Sequence, residues 1–144
     1  MTAEDYTYTE GMTEAEIDAR LHETKTGVLA LARDGEAYAI PVACHYDGDR
    51  LVLRLGEHED SEKMAFVETT ERATLVLYEY EQPDESWSVV VRGPIVRLEE
   101  DDPTSIENDT DNDFPPIRIF GETIEDVEEV RFELRVDEVT GRQT

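Results

Sequence analysis

The chain has 144 residues, 37 acidic against 13 basic, a formal charge of -24 and 38% hydrophobic residues. That length suits one folded domain with a real core, and the lack of any basic stripe argues against nucleic-acid binding. No run of about 18 apolar residues is present to span a membrane, and the acidic start Met1-Thr2-Ala3-Glu4-Asp5 is unlike a secretory signal.

A cytoplasmic home is therefore expected, and the single cysteine, Cys44, rules out an intrachain disulfide. So large a charge repels itself in dilute buffer. At about 1 M salt the screening length falls to roughly 3 Å and the repulsion fades. The composition thus points to a salt-accumulating cytoplasm.

Residues 1–12 read as a flexible acidic terminus. Thr13-Glu14-Ala15-Glu16 is a capping-box pattern with Ile17 and Leu21 four apart behind it, which predicts a helix over 13 to about 23. The apolar run 27–32 predicts a strand, and Arg33-Asp34-Gly35-Glu36 supplies an Asp-Gly hairpin turn into a second strand over 38–46. Asp47-Gly48-Asp49 turns into a third strand over 51–55, and a short helix follows over 61–69. Strands are expected over 73–80 and 87–98, the latter bent or bulged at Gly93-Pro94 because proline cannot donate to a ladder.

The stretch 99–113 is an acidic loop, most simply a solvated insertion, with a substrate lid as the alternative. A short extended piece over 115–120 leads to a small helix near 123–127. The alternation of Val130, Phe132, Leu134 and Val136 makes a sixth strand over 130–139. The expected fold is mainly β: a six-stranded antiparallel barrel with a few short helices, one domain over 13–144.

Isolated motifs say little. His22, His45 and His58 have no zinc-site spacing, and Cys44 and His45, adjacent on a strand, point to opposite faces. Cys44 follows Pro41-Val42-Ala43 and reads as a small packed residue more than a nucleophile. No nucleophile elbow and no glycine-rich phosphate loop is present. One place stands out: Lys63, one of only two lysines, follows Ser61 where a loop turns into a helix. Hydroxyl, ammonium and helix N-terminus together suit a phosphate, and a plain Ser-capped helix with an exposed lysine is the alternative.

The order of segments is more informative. It runs through Gly27-Val28-Leu29-Ala30, Tyr38-Ala39-Ile40-Pro41-Val42-Ala43, Leu51-Val52-Leu53-Arg54 and Ser61-Glu62-Lys63-Met64. Ala73-Thr74-Leu75-Val76 and Trp87-Ser88-Val89-Val90-Val91-Arg92-Gly93 follow, with Phe132 to Arg142 at the end. This succession resembles the pyridoxamine 5'-phosphate oxidase-like family of flavin-binding split barrels.

The resemblance implies a homodimer of six-stranded split barrels with FMN in clefts at the subunit interface, acting as an oxidoreductase on a small molecule. Its Ser-Arg-Lys phosphate grip falls on Ser61-Glu62-Lys63, with Glu62 standing in the arginine's place. Flavin-ring contacts fall on the second strand, with Ile40, Pro41, Val42 and Ala43, and on Arg54 and Leu55 of the third. Ser88 matches the family's fifth-strand glutamine. Related split barrels use a deazaflavin coenzyme in the same cleft, and a non-enzymatic flavin-binding module is a further alternative. The chain ends soon after Thr140-Gly141-Arg142, without the segment that reads the vitamin's phosphate, so vitamin B6 oxidation is not expected.

Taken as residues alone, Arg54 interrupts an apolar strand and must reach water, a carboxylate or a ligand. Pro41 marks an edge strand or a place where a cofactor presses on the backbone. Trp87 floors a cleft or anchors a core.

Overall fold

The computed structural model describes residues 9–57, 62–82, 84–99 and 128–144. Thr13 caps helix α1 (Glu14–Glu23): its hydroxyl accepts from the Glu16 amide at 3.2 Å, and the Glu16 carboxylate accepts from the Thr13 amide at 3.0 Å. Ahead of it, the short strand β1 (Glu10–Gly11) pairs with Gln143 and Arg142, so the described end of segment 1–12 is tied into the sheet. Strands β2 (Thr26–Arg33) and β3 (Glu36–Tyr46) form a long hairpin. Its turn places Asp34 at φ 49° and Gly35 at φ 82°, the left-handed pair that a two-residue hairpin needs.

Strand β4 (Leu51–Glu57) follows, then helix α2 (Glu62–Thr69), β5 (Ala73–Gln82) and β6 (Glu85–Gly93). The remaining strands are β7 (Ile95–Arg97), β8 (Glu128–Leu134) and β9 (Glu138–Gln143). All pair antiparallel, in the order β1-β9-β6-β5-β2-β3-β4-β8-β7. Because β8 pairs with β4 while β9 pairs with β6, the sheet returns on itself as a split barrel.

Nine strand segments appear among the described residues where six strands were expected. The expected strand 87–98 breaks at Pro94, with β6 on one side and β7 on the other. The expected strand 130–139 breaks over 135–137, and Val136, assigned to the inward alternation, is 45% exposed. The two breaks coincide. The Arg135 amide donates to the Pro94 carbonyl and the Asp137 amide to the Arg92 carbonyl, both at 2.9 Å. A Cβ at Gly93 would overlap the Arg135 carbonyl, so only glycine lets the two bends touch. Two long strands therefore fold over together as four short ones. The expected helix at 123–127, the extended piece at 115–120 and nearly all of the loop 99–113 lie outside the described residues.

The core fills the barrel. Leu29, Leu31, Val42, Cys44, Leu51, Leu53, Leu55, Leu75, Leu77, Val89, Val91, Val130, Phe132 and Leu134 are buried in one cluster. They occupy alternate strand positions, as a pleated strand with one covered face requires. Helix α2 packs on the β2–β3 hairpin: Phe66 stacks on Tyr38 with ring centroids 5.1 Å apart, and the Ala32 amide donates to the Thr70 hydroxyl at 3.2 Å.

Candidate functional site

Alternation divides the expected site residues between two faces. Val42 and Leu55 belong to the core and Ile40 packs against it, so each can address a ligand only through its main chain. Pro41, Ala43 and Arg54 occupy the intervening positions and project from the outer face. Ala43 sits directly opposite Arg54 across the β3–β4 ladder. It is covered there by Val52 and Leu98. Pro41 is exposed beside Val28 on β2.

Arg131, which no sequence motif singled out, lies directly opposite Arg54 on the other side, across the β4–β8 ladder. It too stands between core residues, Val130 and Phe132, so both guanidiniums leave the same outer face. Its outward position was readable from the alternation Val130-Arg131-Phe132. Its partner strand was not, because pairing of residues 77 positions apart (131 − 54 = 77) leaves no local trace.

Lys63 lies in the first turn of α2, which begins after the end of β4. It was expected to be exposed if it were an ordinary surface lysine, yet it is only 5% exposed. Glu62 beside it is exposed, and Ser61 and His58 lie outside the described residues. Ser88 is not brought to this place. It lies on the outer face of β6, opposite Tyr78 on β5 and Arg142 on β9. Along the ladder β5, β2 and β3 stand between β6 and β4, so Ser88 is remote from Arg54 in strand order.

The outer face between these points is broad and apolar. Val28 pairs with Pro41 and with Val76, and Val76 with Val90, which makes a continuous row across β3, β2, β5 and β6. Tyr78 and Tyr80 extend it, 65% and 64% exposed.

Trp87 points the other way from Ser88, into the barrel end. There the Arg20 guanidinium lies over its ring at 4.8 Å, and its indole N–H is buried without a hydrogen-bond acceptor. A cleft of about 390 Å³ opens at this end, lined by Arg20, Trp87, Gln143 and the carboxylates of Glu79, Glu81 and Glu85. Hydrogen bonds with Glu79 and Glu85, and their charge, push the Glu81 carboxyl above its ordinary range. This cleft contains none of the expected site residues. Its acidic rim opposes any phosphate, so the outer face is the better candidate.

Cys44 is buried in the core, its thiol pushed up to about 12 by burial, against a smaller lowering by Lys25. Such a thiol stays protonated and inert. The Lys25 ammonium donates to His45 Nδ1 at 3.5 Å on the neighbouring outward position. Among the described residues no three His, Cys, Asp or Glu side chains come together to hold a metal, and no helix is long and apolar enough to cross a membrane.

Known proteins agree with this architecture. No curated protein matches the sequence. Among solved structures, a FAD-binding protein from Mesorhizobium loti is 21% identical, covering 94% of this chain and 98% of that one, with a TM-score of 0.70. The FAD binding protein from Mycobacterium smegmatis is 13% identical over 92% of this chain and 97% of its own, with a TM-score of 0.67. A conserved protein of unknown function from Corynebacterium diphtheriae is 19% identical over 94% and 97%, with a TM-score of 0.65. Likeness at such identities establishes a shared fold. The family model for pyridoxamine 5'-phosphate oxidase matches residues 13–143, nearly the whole length. The chain belongs to the pyridoxamine 5'-phosphate oxidase family.

Proposed function

We propose that this protein is a flavin-binding oxidoreductase of that family, acting on a small molecule as a homodimer with FMN between the subunits. The observation that carries the reading is the outer face. A guanidinium from Arg54 stands at one end of an apolar sheet surface in a chain of charge -24. A flat apolar surface suits a fused ring, and a guanidinium suits its phosphate. The Mesorhizobium loti and Mycobacterium smegmatis proteins, both FAD-binding by name, support the same class of cofactor.

In this reading Pro41, with the backbone of Ile40, Val42, Ala43 and Leu55, forms the wall against which the ring lies. Arg54, Ser61 and Lys63 hold the phosphate. Burial keeps the Lys63 ammonium in a fixed place instead of a mobile one, which lowers the entropy lost on binding. A bound flavin supplies hydride or electron transfer, and the protein supplies orientation and exclusion of water. Ser88 lies too far along the barrel to serve the same cleft as Arg54. Ser88 of the partner subunit reaches it when two outer faces meet, and the exposed Val76–Tyr78–Tyr80 surface gives a dimer its apolar contact. A single domain over 13–144 and a cytoplasmic setting accompany this proposal.

Protein purified in molar KCl is expected to show flavin absorption, or to take up FMN at one per chain and to run at twice the chain mass. Replacing Lys63 by methionine keeps the apolar stem and is expected to weaken FMN binding about tenfold. Colourless protein that takes up neither FMN nor FAD sinks the reading. Preference for a deazaflavin coenzyme replaces the cofactor, and bound flavin that no reductant can reduce replaces the enzyme with a binding module.

A further inference from the structure

The inward alternation of the core changes character at the far end of the β5–β6 hairpin. On β5 it runs Leu75, Leu77 and then Glu79, and on β6 it runs Val91, Val89, Trp87 and then Glu85. The outward positions there carry Tyr78 and Tyr80, both well exposed. Aromatic rings outside and carboxylates inside reverse the usual arrangement of an antiparallel pair. The acid excess of the chain favours neither face, so it does not account for the exchange. Glu81 sits in the bulge between Tyr80 and Gln82, within hydrogen-bonding reach of both Glu79 and Glu85. Trp87, only 7% exposed, lines the cleft with these carboxylates. Its indole N–H is the one buried side-chain polar atom among the described residues without a partner. Leaving a buried donor unpaired is costly. Arg20, paired with Glu23 at 2.7 Å, already lies over the tryptophan ring.

We propose that the cleft at this end of the barrel binds a small amino alcohol, its primary ammonium among Glu79, Glu81 and Glu85 and its hydroxyl oxygen accepting from the Trp87 indole N–H. An ammonium has three N–H donors and no acceptor, which matches three carboxylates that otherwise only repel one another. Arg20 holds the cation position over the ring, so the ligand's own charge belongs at the rim and its neutral oxygen at the tryptophan. A hydroxyl supplies that acceptor without adding a negative charge beside the carboxylates. The cleft, about 390 Å³, has room for such a molecule. Among the described residues no group of acids and histidines is placed to hold a metal ion, so an organic cation fits better than a bare one. The cleft contains none of the residues assigned to the flavin, and the inference stands apart from that reading.

Trp87 is the only tryptophan of the chain, so its fluorescence reads the cleft directly. The full chain is titrated at one fixed KCl concentration with ethanolamine, with ethylamine, which lacks the hydroxyl, and with choline, which keeps hydroxyl and charge but has no N–H. Ethanolamine is expected to shift the emission saturably at one per chain. Ethylamine and choline are expected to bind about 3- to 10-fold more weakly, the size of one lost contact at a partly exposed site. In Glu81→Gln the Kd for ethanolamine is expected to rise by a similar factor. Its melting temperature is not expected to fall, because the substitution relieves repulsion from Glu79 and Glu85. Glu36→Gln, at the start of β3, removes the same charge elsewhere and is expected to leave the Kd unchanged. A response that does not saturate, equal affinity for ethanolamine and either analogue, or equal effects of the two substitutions overturns the site in favour of diffuse attraction to an acidic protein. Any of these outcomes leaves the flavin reading untouched.

Discussion

Gly93 is a small residue with a large geometric duty. The carbonyl of Arg135 occupies the space where its Cβ would go. Gly93→Ala must push two hydrogen-bonded bends apart, at an expected cost of about 1–3 kcal/mol, the range for overpacking a tight site. A urea titration reads this as a lower midpoint. Gly11→Ala, where no atom lies within 4 Å, serves as the control and is expected to shift stability by less than about 0.5 kcal/mol. At this scale Gly93-Pro94 was legible as a bend, because a proline without an N–H must interrupt a ladder. What the glycine admits was not legible, since Arg135 is 42 positions away (135 − 93 = 42). Cys44 shows the opposite case. Its apolar context alone indicated a packed thiol, and the structure buries it.

Among the elements, α1 was the most legible, because its capping box is a local four-residue device. Thr13→Ala removes the cap and is expected to cost about 1 kcal/mol. The Glu16 carboxyl is held below its ordinary range, first by the Thr13 amide and then by Gln143 and the Thr13 hydroxyl. A carboxyl lowered in the folded state contributes stability that is present above its ordinary range and lost as pH falls. Acid is therefore expected to loosen α1 in the wild type, and a pH titration of unfolding should show a smaller acid dependence in Thr13→Ala. The Gln143 side-chain amide donates to Glu16, so the same contact ties α1 to β9. Strands β2 to β6 were readable from alternation and turns. The separation of β7 from β6 and of β9 from β8 was not, because each break depends on the other.

Across the whole molecule, charge sets the response to solvent. A chain at -24 gains from screening, so its melting temperature is expected to rise between dilute buffer and molar KCl. The Glu79–Glu81–Glu85 cluster is one local source of the repulsion, since the raised Glu81 carboxyl destabilises the fold as pH rises through its range. A melting temperature indifferent to KCl counts against adaptation to salt. The dimer belongs to this scale as well: Val76→Glu, in the middle of the apolar outer face, is expected to halve the mass measured by light scattering. By itself the sequence determined the class of fold, the helix cap, the hairpin turn and, Val136 apart, which strand side chains face inward, because periods of two and four residues and turn chemistry are local. Only the tertiary structure decided that two strands bend together, that Arg54 meets Arg131, that Lys63 is buried and that Ser88 stands apart from them. Those facts depend on which distant strands pair and in what register, and loop closure over such distances leaves no pattern in neighbouring residues.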